Sequence, residues 1–159
     1  MTKPAFMIFG VDVHDADKFG EYAQGTVPLL EKYGVSVMSA TNDIEDMHDS
    51  WTRQRVTVLK FPSLDDAKAM WASEDYAPLK ALRESCSSSD IMLIEGMTDE
   101  DAATAPAPSD DAHYVLGLND MKNADWVAEY QAKVPAVAAK WNLVAPCSGD
   151  GFELSRAHG

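Results

Sequence analysis

One stretch organises the sequence: Ala5-Phe-Met-Ile-Phe-Gly-Val-Asp-Val13, followed by His14-Asp-Ala-Asp-Lys-Phe-Gly-Glu-Tyr22. The apolar run predicts a buried strand, and the residues after it have the spacing of an amphipathic helix that Asp15 can cap. The helical part returns as Lys122-Asn-Ala-Asp-Trp-Val-Ala-Glu-Tyr130, again after an apolar run, Tyr114-Val-Leu-Gly-Leu118. A repeat of this size indicates a duplicated structural module.

The first copy continues into a complete α+β unit. Gly34 is placed to end the first helix, and Ser63 with Asp66 resembles a capping box that opens the second. The predicted strands are residues 5–13, 35–38, 55–61 and 90–95, and the predicted helices are residues 16–33, 64–71 and 77–84. This βαββαβ order predicts a ferredoxin-like fold, with two split βαβ halves on an antiparallel sheet. The helices cover one sheet face, and the other, apolar and bare, needs a partner.

The second copy is incomplete. Residues 98–111 are acidic and rich in Ala and Pro, which predicts a linker. After it we expect a strand over 113–118, a helix over 123–141 and a short strand over 143–146. The predicted organisation is therefore a domain over 1–97, the linker, and a partial βαβ repeat over 112–159. Such a fragment either docks on another subunit or is what remains of a second full domain.

Composition limits the function classes. The chain has 159 residues, 26 acidic against 13 basic side chains, and a net charge of −13. An anionic surface of this kind repels phosphate, so we expect no nucleic-acid partner and no anionic membrane surface. Cys86 and Cys147 match no metal spacing, and we expect no metal, no cofactor and a cytoplasmic location.

Two motifs of the first unit carry a resemblance to a known family. They are Arg55-Val-Thr-Val-Leu-Lys-Phe-Pro-Ser63, and Ala69-Met-Trp-Ala-Ser-Glu-Asp-Tyr-Ala-Pro-Leu79 followed by Arg83. On these motifs, residues 5–96 resemble the DUF1330 family of the dimeric α+β barrel superfamily. Residues 113–147 resemble the first half of that family more weakly.

The resemblance implies a homodimer in which two sheets pack face to face as a barrel. It brings no activity, because the superfamily includes cofactor-independent monooxygenases, isomerases, cyclases and non-catalytic proteins, and a fold does not decide among them. Two departures concern the pocket that such a barrel encloses. Met70 stands where the family has the first aromatic of a pair, and Asp49-Ser50 stands where it commonly has Glu-Gly.

Three residues are candidates for catalysis. Arg55 and Arg83 lie in apolar segments, and an arginine in a closed cavity can hold a carboxylate or enolate oxygen. The alternative for each arginine is a salt bridge to a nearby acid (Glu45, Asp49 or Glu84). His14 precedes the first helix and is a candidate general base, although a histidine in a turn is more commonly just solvated.

Four aromatic residues are candidates for substrate binding: Tyr22, Trp51, Trp71 and Tyr76. They can offer stacking surface and hydroxyl donors to a ligand, and the alternative is simple core packing. Two functions follow. The first is a small-molecule-binding dimeric barrel, with cofactor-independent catalysis on a small oxygenated organic acid or ketone left open. The second is a non-catalytic assembly or stress-related oligomerisation module.

Overall fold

The computed structural model describes residues 2–96, 113, 115–117, 123, 125–141 and 153–156 of the chain. Five strands and four helices are assigned within these residues, and they follow one another along the chain. They are β1 (Ala5–Val13), α1 (Ala16–Lys32), β2 (Ser36–Thr41), β3 (Arg55–Phe61), α2 (Leu64–Trp71), α3 (Ala77–Cys86), β4 (Ser87–Glu95), α4 (Val127–Trp141) and β5 (Glu153–Arg156).

The strands form one antiparallel sheet in the order β2-β3-β1-β4-β5. The first four strands have the order expected for the ferredoxin-like fold, with β1 in the centre between β3 and β4. The α+β, βαββαβ prediction is therefore confirmed, and α2 and α3 together fill the place of the second helix. The break between them follows Trp71, and Pro78 lies in the first turn of α3, where its missing N–H costs no hydrogen bond.

Local sequence chemistry sets the helix ends. The Asp15 side chain accepts a hydrogen bond from the Lys18 N–H at 3.1 Å, which caps α1. Ser63 caps α2 in the same way through the Asp66 N–H at 3.1 Å, and its hydroxyl donates to the Asp66 carboxylate. Gly34 follows the end of α1 with φ of 63°, a left-handed conformation that glycine adopts without strain.

Two strands extend beyond their predicted bounds. β2 runs over Ser36–Thr41, and β4 begins at Ser87 rather than Asp90. The serines at the start of β4 carry no apolar alternation, so their sequence gives no strand signal. They are in the strand because β1 continues alongside them, pairing Val13 with Ser87. The ladder with β1 therefore overrides the local propensity.

The helices cover the sheet face that carries Met7, Phe9 and Val11 of β1. Because side chains alternate along a strand, Phe6 and Ile8 lie on the opposite face. We expected that face to be bare, but each of these two side chains is only 3% exposed. The expectation was wrong along β1, and one physical reason is that other segments of the chain lie against this face. Gly96 lies against the Phe6 ring, and Trp51 lies against Gly10.

The C-terminal part divides between two compact units, Met1–Thr98 with Cys147–Gly159, and Asp99–Pro146. The expected helix is present as α4, but residues 113 and 115–117 have no regular structure where a strand was predicted. The strand predicted over 143–146 lies outside the described residues. β5 pairs with β4, so the end of the chain adds a strand to the first unit. The partial repeat over 112–159 stays a prediction.

Candidate functional site

The candidate site is built around Arg83, whose side chain is 1% exposed. α3 places it between the helices and the sheet, where its guanidinium carbon lies 5.4 Å from the centre of the Trp71 ring and 5.8 Å from that of Phe9. Both distances are within the range of a cation–π interaction. The aromatic faces pack against the guanidinium without using its N–H donors.

Those donors are largely unsatisfied. Nη2 is 3.4 Å from a carboxylate oxygen of Glu84, a long contact to a side chain that is 42% exposed. Nε and Nη1 are buried and make no hydrogen bond with any described residue. A buried charge without a close partner is strongly unfavourable, so native structures normally give it an acid or a ligand. Arg83 therefore keeps two buried N–H groups without an acceptor among the described residues.

Tyr76 adds a second unsatisfied donor beside Trp71, since the centres of the two rings are 5.4 Å apart. The Tyr76 side chain is 1% exposed, and its hydroxyl makes no hydrogen bond of ordinary geometry with a described residue, although Tyr22 lies close enough to interact with it. Burial raises the pKa of this hydroxyl far above its usual value, and the nearby Tyr22 raises it further. Tyr76 consequently stays protonated and can donate a hydrogen bond, but it does not serve as a base near neutral pH.

Lys80 also belongs to this group, and the sequence analysis missed it. Its ammonium lies 4.9 Å from the centre of the Trp71 ring, and its side chain is half-buried. Lys80 and Arg83 are three residues apart on α3, and therefore on the same side of the helix. That spacing was a signal available in the sequence. We call Arg83, Trp71, Tyr76 and Lys80 the anion cluster.

Of the seven predicted site residues, the structure brings Arg83, Trp71, Tyr76 and Tyr22 together. Tyr22 lies on α1, with its ring 5.5 Å from that of Phe19, and it influences Tyr76 electrostatically. Met70, which replaces a family aromatic, is 3% exposed in the core. It packs in the core rather than supplying a donor.

Trp51 lies on the opposite face of the sheet. A Cβ atom built on Gly10 would be 3.0 Å from the Trp51 ring, and Gly10 points away from the face that carries Phe9 and Arg83. Next to it, Arg53 donates to Asp12 at 2.7 Å and to Asp90 at 2.8 and 2.7 Å. Trp51 is therefore on the other side of the sheet from Arg83. It belongs to a segment that Arg53 fastens to the sheet.

His14 and Arg55 are also outside the anion cluster. The Nε2 atom of His14 is 2.9 Å from the Ser88 hydroxyl, and both side chains are exposed. Arg55 donates to the Asn42 side-chain oxygen at 2.7 Å, rather than to the acids that we considered for it. The structure thus offers each of them a polar partner at the protein surface and no described contact with Arg83.

No group of three or more His, Cys, Asp or Glu side chains in the described part of the chain could hold a metal ion. Cys86 is buried, its thiol donates to the Arg83 carbonyl, and burial raises its pKa. A buried thiol of this kind is a poor nucleophile. Within the described residues, no helix is long and apolar enough to cross a membrane.

Comparison with known proteins gives a family and a fold. The model of the family described as "Domain of unknown function (DUF1330)" matches residues 4–97. No curated protein matches the chain. Among solved structures, RPA0582 of Rhodopseudomonas palustris, a protein of unknown function, is 14% identical with a TM-score of 0.53, covering 62% of this chain and 85% of its own.

Two further structures have lower TM-scores. Methylated RPA0582 is 16% identical, with a TM-score of 0.49 and coverage of 62% of this chain and 84% of its own. SnoaB, a cofactor-independent oxygenase from Streptomyces nogalater, is 13% identical, with a TM-score of 0.46 and coverage of 61% and 96%. At these identities the comparison concerns the fold alone, and oxygenase activity is a property of SnoaB.

Proposed function

Because the chain belongs to the DUF1330 family, whose description names no activity, we propose a function from its own anion cluster. We propose that it is a small-molecule-binding α+β barrel protein that holds a small oxygenated organic acid or ketone, bound as its carboxylate or enolate. Arg83 holds the anionic oxygen, Tyr76 donates a hydrogen bond to it, and Trp71 packs against the carbon skeleton.

The observation that carries this proposal is the unsatisfied buried guanidinium. Arg83 keeps two nitrogens without a described partner, although the chain has 26 acidic side chains that could have supplied one. An internal salt bridge to these two nitrogens would make the site structural. Among the described residues Arg83 has only the 3.4 Å ion pair of Nη2 with Glu84, which leaves Nε and Nη1 without an acceptor. Those two nitrogens favour an external anion, for which a charge-assisted hydrogen bond in a buried site is strong.

The same geometry bears on catalysis. An isomerase or cyclase needs a proton acceptor at the ligand, and His14, which we predicted for that role, instead contacts Ser88. Tyr76 is held neutral by burial. We therefore propose binding as the primary function, and catalysis only for substrates that ionise without a protein base. Arg83 would then stabilise the resulting enolate.

The test is calorimetric titration of the wild type with butyrate and with acetylacetone, repeated on Arg83→Met and Arg55→Met. Both variants lose one positive charge, but Arg55 is outside the anion cluster and hydrogen-bonded to Asn42. We expect binding to be lost in R83M and kept in R55M. Equal loss in both variants, or no binding of either compound to the wild type, would contradict the proposal.

We also propose that the chain forms a homodimer through the sheet face opposite the helices. The support is an apolar row flanking β1 on that face, whose members are half-buried: Val56, Val58, Met92 and Ile94. Val58→Glu should produce a monomer in size-exclusion chromatography with light scattering, while Lys68→Glu on α2 should not.

We also propose a cytoplasmic location. A reducing compartment suits the chain because Cys86 is a buried free thiol.

The second candidate function is a non-catalytic assembly module, and its support is that the pairing of β5 with β4 can also form between two chains. A long stretch of sequence separates the two strands, so β5 of one chain can add to the β4 edge of another, where unpaired backbone groups invite pairing. Deleting residues 98–159 separates the two functions. If the shortened protein remains a dimer and binds the same acids, binding is the main function. Aggregation with loss of dimer would favour assembly.

A further inference from the structure

We propose that the ligand of the anion cluster carries two acidic groups, one held by Arg83 and the other by Lys80. This inference rests on the proposed function and deepens it, because it names a diacid rather than a monoacid. The two cations contact the same ring: the Arg83 guanidinium carbon is 5.4 Å from the centre of Trp71, and the Lys80 ammonium is 4.9 Å from it.

The second step concerns charge balance. Lys80 makes no ion pair with a described residue, and Arg83 has only the long contact to Glu84. Several other lysines each pair with a carboxylate, namely Lys3, Lys18, Lys32 and Lys133. What distinguishes Lys80 from other lysines without an ion pair is that it shares the Trp71 ring with Arg83. Two cations held around one neutral ring repel each other, and the ring only partly compensates. A bound dianion would remove this repulsion.

Spacing and burial distinguish the roles of the two cations. Residues three apart on a helix have Cβ atoms about 5–6 Å apart, which suits two acidic groups separated by a short carbon chain. Arg83 is fully buried, whereas Lys80 is half-buried and therefore nearer to solvent. Arg83 therefore anchors the first acidic group of any ligand, and Lys80 contributes only where a second group reaches it.

The experiment compares two four-carbon probes, butyrate with one carboxylate and succinate with two. Each is titrated calorimetrically into the full-length wild type, Lys80→Met, Arg83→Met and a matched control, Lys68→Met. Lys68 is an exposed lysine on α2, so this variant has the same change in net charge. Succinate should bind the wild type more tightly than butyrate. K80M should weaken the binding of succinate roughly three- to five-fold, as expected for the loss of a partly exposed ion pair, and leave the affinity for butyrate unchanged.

The remaining outcomes separate this inference from the proposed function. R83M should bind neither probe, and K68M should bind both as the wild type does. If butyrate and succinate bind the wild type equally, or if K80M weakens both alike, the diacid inference is wrong while binding at Arg83 stands. If neither probe binds the wild type, both proposals fail. The advantage of succinate should also shrink when salt is raised from 0.05 to about 0.5 M, because Lys80 is accessible to ions.

Discussion

Replacing Arg83 by Met should leave the stability of the ligand-free protein close to that of the wild type. Loss of a buried side chain normally lowers stability more clearly. Truncating a large core residue costs about 2–5 kcal/mol of unfolding free energy. Arg83 differs because it buries a charge whose Nε and Nη1 have no described partner. Met keeps most of the aliphatic stem and removes the charge.

The magnitude follows from two opposing contributions. Replacing a buried, poorly paired ion by an apolar residue of similar volume stabilises proteins by roughly 0–4 kcal/mol. The contacts of the guanidinium with Trp71 and Phe9 are lost, and each contributes about 0.5–1 kcal/mol. We therefore expect the unfolding free energy of R83M to lie between about 2 kcal/mol below and about 3 kcal/mol above that of the wild type. For a domain of about 100 residues, each kcal/mol raises the melting temperature by about 4–8 °C.

The assay is urea unfolding followed by far-UV circular dichroism, with and without a bound acid. A ligand at 100 times its Kd should stabilise the wild type by about 2.7 kcal/mol and R83M by nothing. The control is R55M, which changes a side chain at the protein surface. Its unfolding free energy should stay within about 0.5 kcal/mol of the wild-type value. The reasoning would be refuted if R83M lost more than about 2 kcal/mol without ligand, because Arg83 would then be a structural residue.

Three further predictions concern neighbouring features. Tyr76→Phe removes a buried hydroxyl without a described partner, so its unfolding free energy should stay within about 1 kcal/mol of the wild-type value. Its affinity for the acid, measured by calorimetry, should fall roughly ten-fold. An affinity equal to that of the wild type would exclude Tyr76 from the site. Arg53→Met should cost about 1 kcal/mol at pH 7. Burial opposes ionisation of Asp12, but hydrogen bonds from Arg53 and the Gln54 N–H lower its pKa below the ordinary 3.8. The stability that the ionised Asp12 carboxylate contributes is therefore complete above pH about 4 and is lost as the pH falls through the lowered pKa. The unfolding free energies of wild type and R53M, measured in urea, should converge in that acidic range. Gly34→Ala should cost about 1 kcal/mol at φ 63°, measured by thermal unfolding against Gly20→Ala, a helical position with open space.

Much of the first unit could be predicted from local sequence chemistry. The alternation in β3 and the apolar run of β1 gave their bounds correctly, because burial on a sheet imposes a period of two. The caps Asp15 and Ser63 were also identified correctly, since capping depends on residues within one turn. The start of β4 was missed because its serines join the sheet through pairing with β1 alone.

The candidate site was predicted in part, for the same reason. Arg83, Trp71 and Tyr76 lie on α2, α3 and the short segment between them, so their grouping depends on residues that are close together in the sequence. Trp51 was grouped with them because of its residue type. The face of the sheet against which a loop residue packs, however, depends on contacts with residues distant in the sequence. Those contacts are Arg53 with Asp12 and Asp90.

The sequence by itself determined the order of elements, the caps and the family, since these depend on periodicity, on residues one turn apart and on a linear motif. Only the tertiary structure decided that Arg83 is buried without a close acid, that Lys80 shares the Trp71 ring, and that β5 adds to β4. Burial, charge pairing and strand addition join residues far apart in the chain. Their energies depend on the folded surroundings rather than on the residue types alone.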